Sequence, residues 1–264
     1  MTEAPLKGYN ALVCGASKGI GQASALALAG MGATVTGVAR DEGSLHEAMR
    51  ALPSDHEQEH DYLVADLLKT SETASALDEF LKKTGKRFQI LIHNTGGPPA
   101  GPLADAEIED LERAFRLHVL SAQVFAGALI DGMKESGYGR IVHVISTSVK
   151  EPIAGLGVSN TIRGAMGNWA KTMAGELGPH QITVNNVLPG FTKTGRLDEI
   201  ISNKAKKLGK TEAEIVSGMH AKVPLRRFAE PSEVAAAVAF LASPAASYIN
   251  GINVPVDGGR TLSL

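Results

Sequence analysis

Eight residues between an apolar run and an alanine-rich stretch carry the first chemistry in this chain: Cys14-Gly15-Ala16-Ser17-Lys18-Gly19-Ile20-Gly21. Glycines at 15, 19 and 21 let the backbone approach a ligand with no side chain in the way. A helix opening at such a turn adds unpaired N–H groups and the positive end of its dipole. Together these suit a pyrophosphate, and the segment is read as a dinucleotide cradle. A glycine-rich turn without a ligand is the alternative. Cys14 is the chain's one cysteine, which excludes an internal disulfide and any thiolate framework for a metal, so no metal is expected. Glycine occurs 29 times, but tyrosine only at Tyr9, Tyr62, Tyr138 and Tyr248.

The cradle needs a strand before it and a helix after it, and the chain repeats that unit. Apolar runs at 9–14, 33–39, 60–65, 88–93, 140–146, 182–188 and 252–256 alternate with helical stretches at 19–30, 43–51, 71–84, 105–135, 156–178 and 231–242. Strands that are apolar throughout are what a parallel sheet covered on both faces requires. The expected fold is α/β, a doubly wound (Rossmann) parallel sheet in a single domain, 1–264. Segment 195–222 departs from the pattern. Leu197, Ile200, Ile201, Ala205 and Leu208 recur at helical spacing, Gly209 offers a stop, and Thr211 with Glu214 has capping-box spacing. This predicts a helical hairpin laid as a lid over the sheet's carboxyl edge, or else surface decoration.

Composition sets the outer bounds. Lysine and arginine number 26 against 28 acids, a net charge of −2, which argues against a protein that grips nucleic acid or an anionic membrane by its overall field. The segment MTEAPLKGYNALVCGAS lacks the layout of a signal peptide. The longest apolar run, 234–242, is far short of the roughly 20 residues that span a bilayer. A soluble cytoplasmic protein is expected.

The motifs taken together resemble the short-chain dehydrogenase/reductase family, particularly its β-ketoacyl carrier-protein reductase branch, over nearly the whole chain. Gly15, Gly19 and Gly21 match the family's TGxxxGxG turn, with Cys14 in place of threonine, and Ser17, Lys18 and Ile20 fall within it. Asp66, followed by Leu67, matches the acid that holds the adenine amino group. His93-Asn94-Thr95-Gly96 is similar to the NNAG motif, with Asn94 and Gly96 retained. Pro189-Gly190-Phe191-Thr192-Lys193-Thr194 matches the PGxxxT segment that embraces the nicotinamide, with Pro189, Gly190, Thr192 and Thr194 implied as contacts. The run from Pro231 to Gly259 follows the family's ending closely. A ribose 2′-phosphate needs cations and is repelled by the acid that NAD users place after the second strand. Here that place holds Ala39 followed by Arg40, with Lys18 in the turn, so NADP(H) is favoured over NAD(H), while Asp41 moderates the preference. Two solvated charges are the alternative.

The resemblance implies an Asn-Ser-Tyr-Lys tetrad, and this chain departs from it. Ser146 matches the serine, but thirteen residues on stands Ser159, the lysine position four further is Arg163, and the asparagine position is His118. No tyrosine in the chain is followed by lysine at the fourth place. Arg163 can donate to the nicotinamide ribose and offset negative charge, but its ordinary pKa above about 12 bars proton shuttling. Ser159 can polarise a carbonyl and is a poor acid. His118 is the nearby group able to titrate near neutrality, and either relays protons or simply packs in its helix. Lys150 and Glu151 either line the substrate mouth or are loop charges. Lys204, Lys206, Lys207 and Lys210 either meet an anionic carrier or form a solvated face. Met166, Trp169 and Met173 are expected in the core or between subunits, since the family forms homodimers and homotetramers.

Three functions follow: an NADP(H)-dependent oxidoreductase acting on a small carbonyl or alcohol with an altered proton donor; an inactive dinucleotide-binding pseudoenzyme serving as sensor or partner subunit; and, third, a non-redox lyase or isomerase. The polar character of Ser159 and Arg163 favours the first.

Overall fold

The computed structural model describes residues 4–263; Met1–Glu3 and Leu264, the ends of the expected 1–264 domain, lie outside them. Seven parallel strands form one sheet in the order β3-β2-β1-β4-β5-β6-β7. They are β1 (Asn10–Cys14), β2 (Thr34–Ala39), β3 (Asp61–Val64), β4 (Ile90–Asn94), β5 (Gly139–Val144), β6 (Ile182–Pro189) and β7 (Asn253–Val256). The order reverses between β1 and β4, which opens a crevice at their carboxyl ends, the place where such sheets bind ligands.

Alternation along each strand explains why the runs are apolar throughout. In β1, Ala11 and Val13 join a core with α1 (Gly19–Gly30), α2 (Glu42–Arg50) and α9 (Pro231–Ala242). Leu12 and Cys14 face the other way, into a core with α3 (Thr70–Thr84), α5 (Ser121–Ser136) and α6 (Gly157–Leu177). Both faces are covered, so a polar side chain at either set of positions is costly unless it finds a partner. Met166 is fully buried and Trp169 and Met173 pack against these cores.

The stretch expected as one helix over 105–135 is built differently. A short 3₁₀ turn (Leu103–Asp105) precedes α4 (Ile108–Phe115), and α4 joins α5 through a π-helical turn, Arg116–Leu120, that contains His118. The hairpin expected over 195–222 is present as α7 (Gly195–Leu208) and α8 (Glu212–His220). Gly209 ends α7 in the left-handed conformation, and Thr211 with Glu214 forms the capping box that starts α8. Leu197, Ile201, Ala205, Ile215, Met219 and Phe228 give the hairpin its own small core, whereas Leu208 is exposed. No helix among the described residues is long and apolar enough to cross a membrane.

Candidate active site

At the end of β1 the chain turns through Gly15 and Gly19, both left-handed at φ +66° and +60°, a region that side chains rarely tolerate. A Cβ on Gly21 would stand 2.1 Å from the Gly15 carbonyl oxygen, and one on Gly15 2.6 Å from Asn94 Nδ2. The turn is therefore held shut against side chains on its inner side. Lys18 caps α1 with no side-chain hydrogen bond, and no acid occupies the first turn, so the opening amides of α1 keep their donors and their dipole for an anion. Opposite, the side chain of Thr194 approaches within 3.3 Å of where a Cβ on Gly19 would stand, so the segment after β6 faces the turn across the crevice.

The rest of the wall suits a phosphorylated dinucleotide. Arg40 is exposed, and neither it nor Lys18 makes an ion pair among the described residues. Asp41, which follows Arg40, is already engaged: its carboxylate caps α2, accepting from Ser44 N at 2.8 Å, and its hydrogen bonds to Ser44 lower its pKa. Asp66 Oδ1 accepts from Leu68 N at 3.1 Å, and Leu67 beside it is buried. Asn94 Nδ2 reaches Cys14 O at 3.5 Å, tying the ends of β4 and β1, while Gly96 lies open. Gly190 has no room for a side chain, because its Cβ would meet Asp257 Cα at 2.7 Å. Thr192 Oγ1 donates to Gly190 O and Thr194 Oγ1 to Thr192 O, each at 3.3 Å, which stiffens the segment after Pro189.

Next to the crevice the ends of β4 and β5 meet α6 and the π turn. Ser146 caps a short 3₁₀ turn (Thr147–Val149), its hydroxyl accepting from Ser148 N at 3.1 Å. Ser159 and Arg163 lie one turn apart on α6, and both are buried. Arg163 Nη1 donates to Val144 O at 3.2 Å and its Nε has no partner. Burial lowers the guanidinium to about 10, below the sequence expectation but still charged at neutral pH. His118 is the clearer correction. Only 1% exposed, its ring is pushed well below the usual histidine value, first by burial and then by the charge of Arg163, so it does not titrate near neutrality. Its Nδ1 pairs with Thr95 Oγ1 at 2.5 Å and its Nε2 is unpartnered.

Behind this cluster stands a polar layer that sequence reasoning missed. His93 and His143 are in register on β4 and β5, with rings 5.4 Å apart. His93 Nε2 meets Ser121 Oγ at 2.8 Å, whereas both nitrogens of His143 are buried without a partner and its ring meets Trp169 edge-on at 5.0 Å. Burial lowers His143 to about 3 and places His93 well below its ordinary value. Thr95 was also missed, although it stands inside the quoted motif, because its partner is 23 residues away.

Above the site, Arg196 at the start of α7 donates to Pro98 O at 2.9 Å and so ties the hairpin across the crevice to the loop after β4. Glu151 Oε2 accepts from Leu262 N at 3.3 Å, holding the C-terminal segment to the loop after Ser146. Lys204, Lys206, Lys207 and Lys210 are all exposed. No cluster of metal-ligating side chains occurs among the described residues.

A family model described as enoyl-(acyl carrier protein) reductase matches residues 15–261. The NADPH-dependent reductase BacG of Bacillus subtilis is 30% identical over 96% of this chain and 98% of its own length. The 3-oxoacyl-[acyl-carrier-protein] reductase FabG of Pseudomonas aeruginosa is 30% identical over 98% and 99%. Among solved structures, L-sorbose reductase from Gluconobacter frateurii, complexed with NADPH and L-sorbose, superposes with a TM-score of 0.92 at 29% identity, covering 100% of both chains.

Proposed function

This chain belongs to the short-chain dehydrogenase/reductase family, and on that premise we propose that it is an NADP(H)-dependent oxidoreductase that interconverts a small carbonyl compound and its alcohol without the family's tyrosine. The observation that carries this reading is the closed glycine turn at the start of α1, whose N-cap makes no side-chain hydrogen bond, beside an Arg40 that makes no ion pair among the described residues. The cradle fits a dinucleotide 2′-phosphate: Gly15, Ser17, Lys18, Gly19, Ile20 and Gly21 would hold the pyrophosphate and Arg40 the phosphate. Asp66 and Leu67 would flank the adenine, Asn94 and Gly96 the ribose, and Pro189, Gly190, Thr192 and Thr194 the nicotinamide. When bound, NADPH supplies a hydride. BacG and L-sorbose reductase, by the names they carry, work with that cofactor.

Negative charge developing on a substrate oxygen falls among Ser146, Ser159 and Arg163. Two hydroxyls and a fixed cation polarise a carbonyl as an oxyanion hole does. Arg163 stays charged throughout, and His118 is held neutral, serving as a positioning residue for Thr95. The balancing proton therefore comes from water or from the substrate itself. Turnover is expected to be flat between about pH 6 and 8, since burial holds His118 well below its ordinary value and leaves Arg163 at about 10.

The same chemistry favours one second reading, a binding protein without turnover, because Ser146, Ser159, Arg163 and His118 include no proton donor of suitable pKa. Titration with NADPH, run beside an oxidation assay on ketoacyl thioesters, quinones, ketosugars and steroids, separates the two. Oxidation of NADPH with any class supports the enzyme; tight binding with none overturns it. Ser159→Tyr together with Arg163→Lys is expected to raise reductase activity. As in the family, a cytoplasmic homodimer or homotetramer is the expected form.

A further inference from the structure

A second cavity opens at the other end of the sheet, where the strands begin. It measures about 600 Å³ and its lining includes Tyr138, Arg140, Thr183 and Tyr248 but no aspartate or glutamate. Arg140 and Thr183 are paired in register on β5 and β6. Strand alternation sends both toward the α1 and α9 side, with Val142, Val144 and Val187. Arg140 is 3% exposed and Thr183 6%. The guanidinium carbon lies 3.9 Å from the centre of the Tyr138 ring, which in turn stacks on Tyr9 at 4.4 Å. Tyr138 Oη donates to Ala242 O at 2.8 Å, so the stack is fixed in place.

Among the described residues this cation is left without a counter-charge. Arg140 Nη1 donates to two carbonyls, those of Gly139 at 2.7 Å and Gln181 at 3.2 Å, but the side chain makes no ion pair among the described residues. Its Nε and the neighbouring Thr183 Oγ1 are both buried without a hydrogen-bond partner. A buried charge lacking a counter-ion and a buried donor lacking an acceptor are each costly, and here they line the same cavity. Such a volume is in the range of pockets that hold small organic ligands and exceeds what an inorganic ion fills. Tyr248, fully exposed beside it, offers a free ring face.

We propose that this cavity is a second binding site, separate from the dinucleotide crevice, for a small aromatic anion whose carboxylate or phosphate pairs with Arg140 and Thr183 while its ring lies against Tyr248. Calorimetry on the full chain saturated with NADPH, which keeps the crevice filled, tests it with benzoate, phenyl phosphate and neutral benzyl alcohol. Saturable binding of benzoate or phenyl phosphate, absent for benzyl alcohol, is expected, and whichever acid binds identifies the anionic group. Arg140→Lys and Thr183→Val, each checked for unchanged NADPH affinity as proof of folding, are expected to weaken it about tenfold. No saturable binding overturns the proposal, as does equal binding of benzyl alcohol or undiminished binding by both variants. A change of oligomeric state on Tyr248→Ala with no anion bound also overturns it, because a second copy then covers the cavity.

Discussion

The crevice is built in two ways on its two sides. Around β1 and α1 the ligand-facing surface is backbone: left-handed glycines, free amides, and positions where a Cβ would collide with a carbonyl oxygen. Around β4, β5 and α6 it is side chains, namely Ser146, Ser159, Arg163 and His118, several of them buried and incompletely paired. The first kind of site depends on shape and tolerates no added atom. In the second kind one polar group can replace another while the scaffold stays the same, if charge and burial remain in balance. The two sides of the crevice therefore tolerate change to different degrees.

Three substitutions test that contrast. The largest effect is expected from Gly21→Val, whose Cβ meets the Gly15 carbonyl oxygen at 2.1 Å. NADPH affinity measured by fluorescence titration should fall by about 100-fold or more, some ~3 kcal/mol. Undiminished binding by a folded variant would break the contrast. Arg40→Glu sharpens it by changing a side chain on the backbone-built side. The preference for NADPH over NADH is expected to drop about tenfold, the scale of one charge-assisted hydrogen bond. An unchanged ratio would assign the phosphate elsewhere.

The smallest effect at neutral pH is expected from His143→Leu, on the side-chain side. His143 is depressed to about 3 in the folded chain, while an unfolded histidine titrates near 6.5. Above that value both states are neutral and the residue adds no pH dependence. Below it the unfolded chain takes up a proton that the folded one refuses, so stability falls as pH drops, until the folded value is reached. Removing the ring should make the slope of urea-derived stability between pH 6 and 4 shallower by about 1.4 kcal/mol per pH unit. An unaltered slope would mean that His143 is charged in the fold.

Strands and helices were legible to within a residue or two at most ends because their signal is local: apolar runs, a glycine stop at 209, a capping box at 211. The glycine turn was legible for the same reason, since all its parts lie within eight residues. The π turn was not, because it keeps the helical pattern of apolar residues and alters only the hydrogen bonding. The histidine layer was hidden by topology. His93 and His143 end or interrupt two ordinary apolar runs, and only the pairing of β4 with β5 sets them side by side. The low pKa of His118 likewise depends on Arg163, 45 residues away, and on burial that no spacing reveals.

The π turn also decides what a single deletion would cost. A turn of this kind holds one residue more than an α-helical turn. If the chain lost one residue between 116 and 120, the turn would close to ordinary α-helical winding, and Ala114 on one side and Phe125 and Leu129 on the other would keep the faces they pack with. What would go is the bulge itself, and with it the place of His118 beside Thr95. The helix could shed a residue and stay packed, while the pair beside the crevice would come apart.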